Sequence, residues 1–345
     1  MVTELDYNLD FIENYLVENY QITADPTLQT GRFGTVLYLY AAAAATKNEE
    51  TQKKADAILA GVFKQTVGYK LSSFHTLSAP GIYWGICYLV NKGYLHLNVD
   101  DLFGDIDDAY STQLQQHQHL FLKLNLSSLT IFLIERLKCA HTKKGRVMVQ
   151  KALIDMVDLI EEKMNLLNLA LNELCSYHFL LSEILAMKIY PEITRQVLTK
   201  ISAQLQDKAK NRMPEDLVTY LKVAAITGNI DPQNSFSETG DCSVFNGEQE
   251  RMTIDKMYTI QLLLKDRKVP RQESADFSIN FAENSVFSYA DSRIRLATAQ
   301  DSGLRNIGLC NDGIAAIGLV LLEKLYHIPF DWKVFNYCHS DPHME

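Results

Sequence analysis

Four segments of this chain are copies of one pattern, and that self-similarity limits its fold more than any single residue does. Gly313 to Leu325 matches Asn125 to Leu137 position by position in size and polarity, with Gly31 to Tyr40 a third version and Ser78 to Leu89 a fourth. Each opens with two small residues three apart (Gly31 and Gly34, Ser78 and Gly81, Asn125 and Ser128, Gly313 and Ala316) and continues as an apolar run nearly free of charge. The interval from residue 31 to 78 is 47, and from 78 to 125 it is again 47. A weaker copy spans Cys175 to Ser182, and the 138 residues from 175 to 313 are three intervals of 46. Two further units are therefore expected near residues 221 and 267, making seven. A period of this length is one helical hairpin per repeat, each unit burying its apolar face against its neighbours.

An apolar inner helix is expected to alternate with an amphipathic outer one, as over Lys53 to Thr66 and Val147 to Glu162. No proline falls between Pro80 and Pro191, so helices in that stretch meet no breaker. The small residues that open each inner helix let backbones approach closely and permit turns that larger side chains resist. Alternating β-branched runs with Asn-Gly turns are scarce. The expected class is all-α, with residues 1–345 forming one domain built as a closed or stacked helical array.

Composition narrows the partners. The formal net charge is −9 and no basic run offers a footprint for phosphates, which excludes nucleic acid. Residues 1–20 carry Glu4, Asp6, Asp10, Glu13 and Glu18 and lack the basic-then-apolar order of a signal peptide. No apolar stretch is long enough to span a bilayer. The six cysteines (87, 139, 175, 242, 310 and 338) have no paired spacing, which points to reduced thiols in a cytoplasmic protein. Between about 228 and 300 the repeat fades into a polar stretch that includes Asn234 to Cys242.

Repeats that open Gly-x-x-Gly and run on as apolar helices resemble the lanthionine synthetase C-like family. The last unit, Gly313 to Leu325 followed by Phe330-Asp331-Trp332, is especially similar to that family's closing repeat. The resemblance implies an α/α toroid of about seven helical hairpins. It also implies a place in lantibiotic-type peptide modification, with a peptide substrate or a partner protein as ligand. Family enzymes hold zinc through two cysteines and a histidine and use it to activate a substrate thiol for thioether ring closure.

Those ligands belong to a Trp-Cys-x-Gly motif and a later Cys-His-Gly motif, and neither is present. No histidine occurs between His178 and His327, and Cys242 is the only cysteine between Cys175 and Cys310. Cys242 lies in Gly240-Asp-Cys-Ser-Val-Phe245, without the tryptophan or glycine of the motif. Cys338-His339 follows the closing repeat instead of preceding it, so it reads as part of a polar tail. The expected metal set is therefore none. The leading expectation is a pseudoenzyme, a scaffold that binds a peptide or protein without zinc-dependent cyclase activity.

His178, in Cys175-Ser-Tyr-His178-Phe-Leu-Leu-Ser182, occupies the slot of the family's catalytic histidine, with Phe179 and Ser182 replacing its glycines. It is the one candidate catalytic residue. The competing enzyme reading is a cyclase with a site relocated around His178, to which Cys242 or Cys310 contributes. A third reading is an unrelated toroid enzyme, carbohydrate-active or terpene-cyclising. For the latter, Asp105-Ile-Asp107-Asp108 has the Asp-x-Asp-Asp form of an acid that protonates an alkene, which requires a raised carboxyl pKa. Its setting, Val99 to Tyr110, reads instead as an acidic loop whose carboxylates cap the following helix. His117 and His119 read as solvated loop residues, and Tyr38, Tyr40, Tyr83, Trp84 and Tyr88 as core aromatics, with an axial pocket as the alternative.

Overall fold

The computed structural model describes residues 2–21, 23–28, 31–66, 78–116, 126–211, 223, 307, 309, 313–328 and 330. The units expected near 221 and 267, His117, His119, Cys242, Cys310, Cys338 and His339 lie outside the described residues. Among the described residues there are ten helices and no strands, so the chain is all-α there. The helices are α1 (Val2–Asn19), α2 (Arg32–Thr46), α3 (Glu49–Thr66), α4 (Ser78–Asn91) and α5 (Val99–Gln116). They continue with α6 (Ser127–Lys138), α7 (Lys143–Leu166), α8 (Leu171–Ala186), α9 (Pro191–Asn211) and α10 (Ile314–Tyr326). Each of the four strong sequence copies has become a helix: α2, α4, α6 and α10.

Two compact units emerge, with the division inside α7 after Leu153. The first holds α1 to α6, the start of α7, and α10. Within it α2 is enclosed on every side, every residue from Phe33 to Ala43 being buried. Buried in the same way are Ile314 to Leu322 in α10 and Leu129 to Arg136 in α6. A helix that is apolar all round is stable only where neighbours cover its whole circumference. The amphipathic helices bury one face only. On α3 that face is Ala55, Ile58, Leu59 and Val62, at spacings of three and four residues.

In this unit α2 packs between α4 and α10, and α4 packs on α6. The first copy in the chain thus lies beside the last. The close approach comes from glycines inside the helices. A methyl group at Gly85 of α4 would overlap the buried Phe33 ring of α2, and one at Gly318 of α10 would overlap the buried Tyr38 ring. The opening glycines divide. Gly31 has no room for a side chain because the backbone of Asp25 and Thr27 crosses above it, whereas a side chain at Gly81 would make ordinary contact with Leu28. That crossing loop closes the start of α2: the carbonyls of Asp25 and Thr27 accept from the N–H groups of Arg32 (2.9 Å) and Phe33 (3.1 Å).

The second unit contains the rest of α7 with α8 and α9, the last two packed on each other. Pro191 opens α9 at the one place in a helix where its missing N–H costs nothing. The buried face of α9 is Thr194, Val197, Ile201 and Leu205. Lys163 of α7, itself buried, pairs with Glu173 of α8 at 2.7 Å, and Glu173 also accepts from the Tyr177 hydroxyl at 2.7 Å.

Candidate functional site

His178 is the eighth residue of α8, which begins at Leu171. Glu173 in the first turn of this helix is favoured by the helix dipole. His178 is half-buried, and its carbonyl accepts from the Ser182 hydroxyl at 2.8 Å. Ser182 is thus engaged with its own helix. Cys175, one turn before His178, is buried. Whether Cys242 or Cys310 joins them is a question outside the described residues. Among the described residues no group of three or more His, Cys, Asp and Glu is placed to hold a metal ion, and no helix is long and apolar enough to cross a membrane.

The aromatic set belongs to the core. Tyr38, Tyr40, Trp84 and Tyr88 are all buried. Trp84 stacks on Tyr88 with ring centroids 5.0 Å apart, and Tyr88 meets Phe330 edge-on at 5.4 Å. The Tyr38 hydroxyl donates to the Leu9 carbonyl at 3.3 Å, and the Tyr40 hydroxyl to Asp56.

A buried group of ionisable side chains lies between α4, α5 and α6. Val99 to Tyr110 belongs to the helix α5, which corrects the acidic loop expected there. Capping falls instead to Asn98, whose Oδ1 accepts from the Asp100 N–H at 3.2 Å while its Nδ2 donates to Asp101 at 2.6 Å. Asp100 and Asp107, seven residues apart and so on one face of α5, both bind Nη2 of Arg136 on α6, at 2.7 and 2.8 Å. Arg136 is fully buried and lies 5.8 Å from the centre of the Phe103 ring. Among the described residues, its Nε and Nη1 and the Oδ1 of Asp107 have no hydrogen-bond partner.

One guanidinium between two carboxylates leaves the group with a surplus negative charge, and the two acids divide the consequences unequally. Burial raises the Asp107 carboxyl to about 6 despite the opposing pull of Arg136. Burial also acts to raise Asp100, but the Thr142 N–H and Arg136 outweigh it and hold this acid below its ordinary range. Asp100 further accepts from the His141 N–H at 3.0 Å, tying the start of α5 to the turn before α7.

Cys87 of α4 and Cys139, which caps α6, are neighbours beside this group, and Cys139 Sγ donates to the Arg136 carbonyl at 3.3 Å. Burial, then the bond to Cys139, raises the Cys87 thiol. The same bond lowers Cys139, with burial opposing and Arg136 assisting. Neither Arg136 nor the thiol pair stood out in the sequence. The available signal was small: Glu135-Arg136 is a charged dipeptide within an otherwise apolar copy, and the two thiols are 52 residues apart, close to one repeat.

Comparison with known proteins finds no matching family model, no matching curated protein and no matching solved structure.

Proposed function

We propose that this chain is a divergent lanthionine synthetase C-like protein that binds a modified peptide or a partner protein of a lantibiotic-type system and lacks zinc-dependent thioether cyclase activity. In this reading residues 1–345 form a single α/α toroid of about seven hairpins. One observation carries the reading: α10, formed by the last sequence copy, packs against α2, formed by the first. A ring of repeats requires such a neighbour pair, and an open stack has none. The loss of chemistry rests on the sequence, which has no histidine from 179 to 326 to complete the family's zinc set. The peptide follows from the resemblance alone, a warrant by analogy.

The test uses full-length protein without a histidine tag. Metal analysis is expected to find no stoichiometric zinc. Calorimetric titration with a cysteine peptide bearing dehydrated serine or threonine should give saturable heat, and the recovered peptide should keep its free thiol. A full equivalent of zinc, or loss of the thiol without a change of mass, would establish a cyclase and sink the scaffold reading. Absence of binding by both this peptide and its unmodified parent would remove the peptide ligand.

A further inference from the structure

We propose that Cys87 and Cys139 are a redox couple that closes into an intramolecular disulfide when the protein meets a low-molecular-weight disulfide, linking α4 to the end of α6. The geometry supplies the pairing. α4 and α6 pack side by side, and their register is held by Asn91 Nδ2, which donates to the Glu135 carbonyl at 3.2 Å and to its Oε1 at 2.6 Å. In that register the two thiols are neighbours, and Cys139 Sγ donates to the Arg136 carbonyl at 3.3 Å. Cys139 closes α6 just before the turn to α7, at the frayable end of a helix, whereas Cys87 is in mid-α4.

The environments divide the roles. Cys139 is buried, so the reagent meets it when the end of α6 frays, and its thiol is the lowered one of the pair, which makes it the one to reach the thiolate form that attacks a disulfide. Its sulfur attacks one sulfur of the reagent, forming a mixed disulfide and expelling one thiolate, which takes the proton of Cys87. The Cys87 thiolate then attacks the Cys139 sulfur and expels the second reagent thiolate, which takes a proton from solvent. The protein loses two electrons, and the reagent is reduced to two thiols. Closure brings the two neighbouring sulfurs to about 2 Å.

The inference does not depend on the peptide-binding reading. Its test is oxidised glutathione added to the folded full chain, followed by acid quenching, intact mass and peptide mapping. The expected product has lost two hydrogens, links the Cys87 and Cys139 peptides, and reverts with dithiothreitol. In Cys87→Ser the reaction should halt at a mixed disulfide on Cys139. A chain in which the other four cysteines are serine should still form the link. Oxidation that joins other cysteines, or stops in the wild type at mixed disulfides, overturns the proposal. So does a chain whose thiols at 87 and 139 stay reduced under a reagent excess that modifies the remaining cysteines. The mapping of wild-type protein decides the matter even if a variant fails to fold.

Discussion

Arg136 is the side chain on which the first unit has most at stake. Removing it leaves Asp107, and in part Asp100, as buried negative charge. Truncating one partner of such a group costs about 3–5 kcal/mol. Arg136→Leu is accordingly expected to lower stability by that amount in urea unfolding, and a loss below about 1 kcal/mol would show that water reaches the carboxylates. Asp107 makes a separate prediction about pH. Its carboxyl holds a proton up to about 6 in the folded chain, against an ordinary value near 3.8. Between those values the native state binds the more protons, so this group's contribution to stability falls as pH rises through the window. Below it the contribution is fully present, and above it the loss is complete, at most about 3 kcal/mol. Asp107→Asn should flatten that segment of the stability curve while keeping Arg136 paired through Asp100. An unchanged slope in the variant would assign the titration to another group.

Helices were the most legible element because their signals are local. The runs from Gly31, Ser78, Asn125 and Gly313 are apolar around the whole circumference, and a run of that kind specifies its own burial whatever surrounds it. They became α2, α4, α6 and α10 with starts within two residues of the copies. Legibility stopped where two helices must be placed against each other. Asp107 looked like a capping acid until its register against α6 brought it to Arg136. The Cys87–Cys139 pair likewise exists only through packing. Glycine shows the same limit. Gly85 and Gly104 are both interior to helices, yet a methyl at Gly85 overlaps Phe33 while one at Gly104 meets nothing within 4 Å. Helix propensity favours alanine at both by about 1 kcal/mol. Overpacking against a buried ring costs about 1–3 kcal/mol, so it outweighs that gain at Gly85 alone. Gly104→Ala should raise the thermal midpoint and Gly85→Ala lower it. Two shifts of the same sign would mean that Phe33 has room to move.

At the scale of the whole molecule, the contact between the first and last copies ties together segments almost 270 residues apart in the sequence. Its interface is apolar and specific: Gly318 of α10 receives the Tyr38 ring of α2, with Ile12 of α1 also against it. α10 buries six large aliphatic side chains: Ile314, Ile317, Leu319, Val320, Leu321 and Leu322. At about 1.5–3 kcal/mol each, their burial is on the order of 10 kcal/mol before entropy, comparable with the net stability of about 5–15 kcal/mol of an entire domain. α2 therefore cannot keep its enclosed state without α10, however good its own helix propensity, because eleven consecutive buried residues from Phe33 to Ala43 need cover on every side. A chain ending at Asn306 is expected to lose amide-exchange protection across α2, read by mass spectrometry on its peptides. Adding a synthetic peptide of residues 307–330 in excess should restore protection if α10 acts by docking, since a segment that binds only the folded form stabilises it by mass action. The same peptide with Gly318→Phe should not, because its ring would occupy the place of Tyr38. Protection that survives the truncation would mean that α2 is covered without the last copy.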